Sequence, residues 1–332
     1  MIDDTFIAPL SDAFGQVQQW LFEALVQPVV FHAGMGNLLE DAYTATGWLL
    51  VGVIQMVVLL AVIGPLQRWR PVEKGGDRSG VGVDVLYTVI HRLGLFRVAM
   101  FFSVEPLLDE AFGQVSVWGV NGIQLDAWLA PLWPGVSDTA WASFLVYLLV
   151  FDLLDYWIHR GQHQSNRWWA LHSVHHSQRN MTMWSDNRNH LLDDVIRDVL
   201  LAFTARAIGV PPGQFVALVA VTQLVESFSH ANLRLSFGWL GERLLVSPRF
   251  HRQHHAIGIG HESNGPGTLG GCNFAVLFPV WDILFGTARF DGRFEATGIR
   301  DQLPEHGGRN YGQGFWAQQW LGLRRLVGRD AV

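Results

Sequence analysis

The segment that most restricts the possible fold is AYTATGWLLVGVIQMVVLLAVIGPLQ, residues 42–67, which contains no charged residue. A helix needs about 20 largely apolar residues to cross a bilayer. The segment therefore predicts a transmembrane helix, with a buried helix of a soluble protein as the alternative. It starts too far into the chain, and lacks the basic leading region, for a cleavable signal peptide. The composition agrees, because only 16% of the residues are charged, against roughly 25% in soluble domains.

Two further segments are apolar enough to be considered as membrane spans. Residues 139–159 have an acidic flank before them and a basic flank after them. Residues 85–104 are a weaker candidate, because His91, Arg92 and Arg97 interrupt them. Ionisable groups within a membrane usually face the protein interior or reach for the membrane edge. We expect this weaker segment to cross back between the two stronger spans.

The rest of the membrane region is expected to be helical as well. Residues 14–31 are amphipathic and fit a helix that lies in the membrane interface or packs on the spans. Residues 195–209 and 213–229 predict a hairpin of two helices, because the sequence GVPPG between them breaks a helix. This hairpin returns to the side of the membrane from which it starts.

Basic residues set the expected orientation of the chain. The polar connector after the first span carries Arg68, Arg70, Lys74 and Arg78, and cytoplasmic loops carry an excess of such residues. We therefore expect the connector to be cytoplasmic and the N-terminus to lie outside. The crossing pattern then places residues 159–255 on the cytoplasmic face.

Ten of the fourteen histidines lie between residues 159 and 255. In HRGQH, His159 and His163 are four residues apart, so both side chains lie on one helix face. HSVHH and HRQHH repeat spacings of three and four residues, and the adjacent pair in each diverges enough to reach two metals. Burying so many imidazoles is unfavourable unless they are neutral and engaged, and metal coordination achieves both. The pattern predicts an all-α integral membrane protein, a transmembrane bundle with a cytoplasmic histidine-rich helical cap that holds a di-metal site.

Ligand chemistry narrows the choice of metal. All-imidazole sites suit zinc, copper, iron and nickel, but structural zinc takes four ligands and would leave most of these rings unused. A zinc peptidase requires HExxH, and here Arg160 stands where the catalytic glutamate belongs. Redox iron in two sites is the better match. A zinc hydrolase or a metal transporter is the alternative from a different functional class, although transporter sites lie near the bilayer midplane.

Two other classes of function are disfavoured. The net charge of −6 gives no reason to expect a nucleic-acid partner. The lone cysteine, Cys272, rules out an internal disulfide framework and a four-cysteine iron–sulfur site. The sequence GPGTLG at 265–270 satisfies a dinucleotide-binding pattern, but no βαβ unit is predicted around it.

Six motifs follow one another between residues 152 and 287. They are DLLDYWIHRGQH, WALHSVHHS, NRNHLLDD, FSHANLRL, SPRFHRQHH and NFAVLFPVWDILFGT. In this order they resemble the fatty acid hydroxylase and sterol desaturase superfamily of integral-membrane di-iron enzymes. The resemblance implies a hydroxylase-like catalytic domain at 139–290. Residues 1–138 are then an N-terminal membrane region with an interfacial helix and about two spans, and residues 291–332 are a C-terminal cytoplasmic tail.

The resemblance also implies which side chains hold the metals. The ligands carried over from the three histidine boxes are His159, His163, His172, His175, His176, His251, His254 and His255. His230 matches a further single histidine of the family and is expected to be a ligand too. His190 is either a ligand or a structural residue. Glu226 lies four residues before His230, where some relatives have a histidine, and either binds metal or hydrogen bonds a ligand.

Three other residues are expected to orient ligands without binding metal. Asp155 lies one turn before His159, which suits a carboxylate that fixes a ligand ring. Asp282 and Asn273 are expected to act in the same way, with helix capping or loop packing as the alternative roles. The glycine-rich loop 256–272 is a hypothetical lid or substrate contact. The tryptophans before the second box are interpreted as interface anchors or walls of a substrate groove, with core packing as the alternative.

The resemblance implies a membrane-bound non-haem di-iron oxygenase that acts on a lipid, such as a fatty acyl chain or a sterol. Its expected reaction is O2-dependent hydroxylation of a C–H bond, with desaturation or oxidation of an ether lipid as alternatives within the superfamily. The chain has no flavin, haem or iron–sulfur signature. An external electron donor of the ferredoxin or cytochrome b5 type is therefore expected on the cytoplasmic side.

Overall fold

A computed structural model gives the fold of most of the chain. It describes residues 4–75, 80–119, 122–263 and 265–329. Within these ranges every regular element is helical, and the single β-bridge, between Ala256 and Thr297, belongs to no strand. Arg78 of the basic connector lies outside the described residues. The described part of the protein is therefore all-α, as the sequence predicts.

The amphipathic N-terminal segment packs on the helix that follows it. Its elements are α1 (Asp4–Leu21), a π-helical turn (Phe22–Val26) and α2 (Gln27–His32). The Phe22 ring meets the Tyr43 ring edge to face at a centroid distance of 5.3 Å. Packing on the first span is one of the two arrangements that the sequence allows for this segment.

The first predicted span is one long helix. It consists of α3 (Leu39–Val58), a second π-helical turn (Leu59–Ile63) and α4 (Gly64–Trp69). From Gly36 to Trp69 it is long and apolar enough to cross a membrane. Val57 and Leu60 on its outer side are more than half exposed, which is expected of side chains that face lipid.

The segment predicted as a span at 85–104 is bent. It forms α5 (Val81–Arg92) and α6 (Leu95–Ser103), whose axes differ by 51°. Between them Gly94 has a φ of 82°, a left-handed conformation that ends α5 and that glycine adopts without steric cost. The pair is long and apolar enough for a span only when both helices are counted together.

Arg92, one of the charged residues in this bent pair, faces the protein interior. Its Nη2 donates to Asp186 Oδ2 at 2.8 Å and to Ser227 Oγ at 3.0 Å, and its Nη1 donates to Gln55 Oε1 at 3.1 Å. Only 3% of the residue is exposed. The buried charge is thus paired and hydrogen bonded, which is the condition for keeping it there.

The second strong span begins the part of the chain that carries the histidines. After α7 (Glu105–Val117) and α8 (Leu125–Leu129) comes α9 (Ala140–Gln164), which is also long and apolar enough to cross a membrane. Ser165 then adopts an extended conformation, and its hydroxyl accepts a hydrogen bond from Trp168 N at 3.3 Å. This N-cap ends α9 and starts α10 (Asn166–His176).

The predicted hairpin is present as α11 (Leu191–Ile208) and α12 (Pro212–His230). Gly209, with a φ of 72°, ends α11. Leu201 and Leu218 of this hairpin pack with Tyr147 and Phe151 of α9 in the main apolar core. The core therefore fixes the two helices of the hairpin against α9.

Four shorter helices complete the described chain: α13 (Gly238–Leu244), α14 (Pro248–His254), α15 (Val280–Leu284) and α16 (Phe315–Leu326). The segment before α15 is tied to α9 by Asp152, whose carboxylate accepts from Leu277 N, Phe278 N and Trp281 Nε1 at 2.8, 3.0 and 2.9 Å. The C-terminal α16 packs along α10. The helices α9 and α10, which carry the first two histidine boxes, are thereby held by distant parts of the sequence.

Candidate metal centre

Nine buried histidines converge in two clusters of four and a trio that adds His254. The first cluster is His159, His163, His172 and His176, and the second cluster is His175, His230, His251 and His255. A bridging trio consists of His176, His254 and His255. Within each group the candidate ligand atoms lie within 4.8 Å of one another. The adjacent residues His175 and His176 belong to different clusters, so the second histidine box serves both.

Hydrogen bonds behind the first cluster set which ring nitrogen is free. Nδ1 of His159 donates to the Phe274 carbonyl at 2.8 Å, and Nδ1 of His163 donates to the Gly270 carbonyl at 3.1 Å. Nδ1 of His172 contacts Asp193 Oδ2 at 3.1 Å. In all three rings Nε2 is buried without a hydrogen-bond partner among the described residues. An unpartnered buried Nε2 opposite a bonded Nδ1 is the arrangement of a metal ligand.

The nitrogens of the second cluster lie at contact distances. Nε2 of His230 lies 3.1 Å from Nε2 of His175 and 3.0 Å from Nε2 of His251, which in turn lies 3.2 Å from Nε2 of His255. Metal–imidazole distances of about 2.0–2.1 Å place nitrogens that share one ion roughly 3 Å apart. One hydrogen cannot satisfy all four nitrogens, whereas one cation can.

Burial keeps these rings in the state that metals require. It lowers the pKa of His254 to about 3, and it lowers the pKa values of His175, His176, His251 and His255 well below the usual value for histidine. Neighbouring imidazoles lower these pKa values further, since a second positive ring nearby is unfavourable. The rings are therefore neutral near pH 7 and offer lone pairs.

Two predicted ligands are not brought into either cluster. His190 caps the N-terminus of α11: its Nε2 donates to the Gln319 carbonyl at 2.8 Å and its Nδ1 accepts from Leu192 N at 3.1 Å. Glu226 contacts Arg197 Nη2 at 3.4 Å through its carboxylate. The Glu226 main-chain carbonyl accepts from His230 Nδ1 at 2.7 Å. Glu226 thus orients the candidate ligand His230 through its backbone.

The carboxylates of Asp155 and Asp282, which were predicted to orient ligand rings, are hydrogen bonded to other groups. Asp155 accepts from Arg197 Nε at 2.8 Å, while the His159 ring that it was expected to hold is held by a carbonyl. Asp282 accepts from Phe274 N at 2.9 Å and from Ala275 N at 2.8 Å. Asp282 therefore fixes the backbone whose carbonyl holds His159, one step removed from the ring.

Asn273 joins two segments behind the ligands. Its amide donates to the Phe250 and Arg289 carbonyls, both at 3.0 Å, and its Oδ1 accepts from Arg289 N at 2.7 Å. Its φ of 59° is the one positive value among non-glycine residues in the described chain. Asparagine tolerates this conformation better than most residues.

We expect Asn273→Ala to destabilise the protein by ~1–3 kcal/mol, because buried partners lose their hydrogen bonds and alanine resists a positive φ. Thermal unfolding in detergent, followed by circular dichroism, measures the change. Asn310→Ala is the control, because this exposed asparagine makes one local bond to Gly312 N. Equal unfolding temperatures for the two variants would contradict the structural role of Asn273.

Sequence reasoning missed the carboxylate that contacts a ligand directly. Asp193, at the start of α11, contacts His172 Nδ1 at 3.1 Å and accepts from Gln162 Nε2 at 2.9 Å and Trp168 Nε1 at 2.6 Å. It is 2% exposed. The only sequence signal was its place in the motif NRNHLLDD, since it lies 21 residues from His172.

The tryptophans and the glycine-rich loop also lie behind the ligands. Trp168 bonds Asp193, and Trp169 is 5% exposed, with its ring centroid 5.0 Å from that of His163. Trp169 therefore packs in the interior, the alternative to an interface anchor. In the loop 256–272, the Gly270 and Cys272 carbonyls accept from His163 and His254 at 3.1 and 2.7 Å. The loop thus orients two candidate ligands.

A small polar cavity of about 60 Å³ adjoins both clusters. His159 and His172 line it from the first cluster, and His175, His230 and His251 line it from the second. Between α9, α11 and α12 its wall contains Asp155, Arg197 and Glu226. A reactant in this cavity would lie next to both candidate metal positions.

Comparison with known proteins identifies this arrangement. A family model described as fatty acid hydroxylase matches residues 144–287. Ornithine lipid hydroxylase OlsE of Rhizobium tropici is 23% identical over 278 residues, covering 83% of this chain and 78% of that protein. No solved structure gives a significant match.

Two further relatives match a shorter part of the chain. Alkylglycerol monooxygenase of Danio rerio is 30% identical over 150 residues, which are 45% of this chain and 31% of that protein. Methylsterol monooxygenase 1-3 of Arabidopsis thaliana is 26% identical over 152 residues, which are 44% of this chain and 47% of that protein. Residues 144–287 thus form a fatty acid hydroxylase domain by the matched family model, and these relatives and the two histidine clusters are consistent with the fatty acid hydroxylase and sterol desaturase superfamily.

Proposed function

We propose that this protein is a membrane-bound oxygenase that hydroxylates a lipid at two iron ions, one in each histidine cluster. The observation that carries the proposal is the convergence of nine buried imidazoles into two clusters joined by a bridging trio. Its relatives are named lipid hydroxylases and monooxygenases, and the chain is accordingly an oxidoreductase of the lipid hydroxylase type. Oxidation of an ether lipid and desaturation are the alternatives within the superfamily.

The donor set fits iron. It consists of buried imidazoles, which suit iron as well as zinc and copper, and it offers more ligands than one structural zinc ion takes. Bound iron would supply the reduction of O2 and the oxidation of an unactivated C–H bond. The protein holds the ligand rings through fixed carbonyls and Asp193, and it buries the site from water.

We further propose that the reacting carbon of the lipid reaches the cavity that adjoins both clusters. This cavity lies between α9, α11 and α12, the helices that pack in the main apolar core. His159 and His163 are in the last turns of α9, beyond its apolar part. A lipid that moves along α9 would therefore meet the metals where that span ends.

The membrane arrangement that supports this access has the histidine site on the cytoplasmic side. Two helices qualify as spans, and a third exists if α5 and α6 form one bent span. With three crossings, the N-terminus lies outside and the connector after α4, with Arg68, Arg70 and Lys74, is cytoplasmic. We propose that a ferredoxin- or cytochrome b5-type protein supplies electrons from that side.

Lipid mass spectrometry and metal analysis together test the proposal. Cells that make the wild-type chain are compared with cells that make His175→Ala, which lacks one ligand of the second cluster. A lipid that gains one oxygen atom only with the wild type supports hydroxylation, and the loss of two hydrogens instead supports desaturation. One firmly bound zinc ion in the purified protein would refute the iron oxygenase. The same lipids in both cell lines would refute it as well.

Glu226→Gln tests whether the carboxylate of Glu226 in the cavity wall contributes to lipid oxidation without binding metal. We expect the metal content to stay unchanged, because the carboxylate lies outside both clusters and the main-chain bond to His230 survives. We expect kcat/KM for the lipid to fall about tenfold, the effect of weakening one charge-assisted hydrogen bond. Metal per chain and lipid turnover are measured beside Glu110→Gln, an exposed control on α7. Loss of one metal ion per chain would make Glu226 a ligand.

A further inference from the structure

A second cavity near the metal clusters has no part in the proposed binding of the lipid. Its volume is about 360 Å³, and its wall is polar. The lining includes Asn166, Trp169, His261, Glu262, Arg300 and His306. It lies between the start of α10, the glycine-rich loop and residues 299–306, whereas the lipid cavity lies between α9, α11 and α12. The two cavities share no lining residue.

Trp169 connects this cavity to the candidate ligands. Its ring centroid lies 5.0 Å from that of His163 and 5.3 Å from that of His176, both members of the first cluster. The His261 ring stacks on it, with a centroid distance of 5.5 Å and an angle of 19° between the planes, and also lies 6.2 Å from the His176 ring. A continuous set of π rings thus runs from the cavity to two ligand rings, one of which, His176, also belongs to the bridging trio.

His261 is not explained by packing alone. It is 5% exposed, and its Nδ1 is buried with no hydrogen-bond partner among the described residues. A buried polar atom without a partner is costly and rare. Beside it, Glu262 is held by Arg300 at 2.8 Å, so the charges near the ring are paired. His261 therefore lines the cavity and has a buried nitrogen that no described residue satisfies.

We infer that electrons reach the metal clusters from this cavity through Trp169, delivered by a one-electron carrier protein that docks over its opening. This inference rests on the proposed oxygenase function. Hydroxylation of a C–H bond with O2 takes two external electrons and two protons, places one oxygen atom in the alcohol and releases the other as water. Two reduced carriers each give up one electron and leave oxidised. Electron transfer falls steeply with distance and is slower across gaps than through packed atoms, which favours the ring contacts of Trp169.

Removal of the indole ring tests the route. Iron-loaded protein in detergent is mixed anaerobically with a reduced ferredoxin, and the rate of iron reduction is followed optically. We expect Trp169→Leu to reduce the rate about tenfold, equivalent to ~1.4 kcal/mol of barrier, and Trp169→Phe to have a smaller effect because a ring remains. Trp239→Leu, which removes an indole that is 74% exposed, should leave the rate unchanged. Equal rates for all four proteins would overturn the route.

A blocking experiment addresses the docking site without changing Trp169. The single native cysteine, Cys272, is buried, and burial raises its pKa to about 12, so a maleimide would react with an introduced exposed cysteine. A bulky polymer maleimide on His306→Cys, at the cavity opening, should slow reduction by the ferredoxin and weaken its binding. The same label on Arg293→Cys, exposed and outside the cavity lining, should do neither.

The two experiments separate this inference from the function on which it rests. If Trp169→Leu loses iron, Trp169→Phe and the labelled His306→Cys still decide the route. If metal-loaded protein is reduced at the same rate with the label on His306→Cys as with the label on Arg293→Cys, the electron route is overturned but the proposed oxygenase function is not. Wild-type protein that binds no redox-active metal overturns the proposed function, and the route with it.

Discussion

Replacement of His176 by alanine should remove the metal of the first cluster, because His176 is one of its four candidate ligands, and should weaken the second cluster through the bridging trio with His255. Loss of a group that only supports a ligand weakens metal binding about 10–100-fold, so loss of a ligand should exceed about 100-fold at the first cluster. We expect metal per chain to fall to about one or below and the oxidised lipid to disappear. Elemental mass spectrometry of purified protein and lipid analysis of the same cells measure these effects.

The matched control is His190→Asn. Both ring nitrogens of His190 are hydrogen bonded, one to the Gln319 carbonyl and one to Leu192 N, and asparagine is a favourable residue at a helix N-cap. This variant should keep both metals and its lipid product. Two metals per chain in His176→Ala would contradict the place of His176 in the first cluster, and metal loss in His190→Asn would restore His190 to the ligand set.

The parts of the site that follow from helical spacing were predictable. The spacings of four in His159 and His163, and of three and four in the two triplets, depend on the 3.6-residue period of one helix. The structure places these residues on α9, α10 and α14, and the divergence of His175 from His176 sends them to different clusters. The uncharged segment 42–67 likewise needs no tertiary information to indicate a membrane helix.

Interactions between distant segments were not predictable in this way. The Nδ1 partners of His159, His163 and His254 are main-chain carbonyls, and every residue has a carbonyl. Asp155 has the spacing of an orienting carboxylate, but Arg197 of α11 packs beside it and takes its oxygen. His190 finds its partner 129 residues away, on α16.

The bend at Gly94 is another feature that local sequence does not predict, here in the shape of a whole membrane segment. Hydropathy over 85–104 averages across a glycine and therefore indicates one span. The structure ends α5 there, and Arg92, just before the bend, reaches Asp186 and the α12 residue Ser227. The bend is thus associated with a buried ion pair whose partner lies 94 residues further on. Only the folded arrangement of helices reveals that pairing.

Asp193→Asn should have the second largest effect on the site. The carboxylate contacts His172 Nδ1 and accepts from Gln162 Nε2 and Trp168 Nε1, and an amide replaces one acceptor with a donor that faces the same N–H groups. We expect metal affinity at the first cluster to fall about 10–100-fold. We also expect ~1–3 kcal/mol of destabilisation from the unsatisfied buried donors. Metal titration and thermal unfolding measure the two effects separately.

The neighbouring residue provides the control for this prediction. Asp194 is also buried, but its carboxylate is hydrogen bonded to His91 of α5 at 3.1 Å and to no candidate ligand ring in the described structure. Asp194→Asn should therefore reduce stability without weakening the first cluster. The second cluster should keep its metal in both variants, because no hydrogen bond joins either carboxylate to its four rings in the described structure. Equal metal affinity in Asp193→Asn and Asp194→Asn would mean that the carboxylate of Asp193 stabilises α10 and α11 but does not hold His172 for the metal.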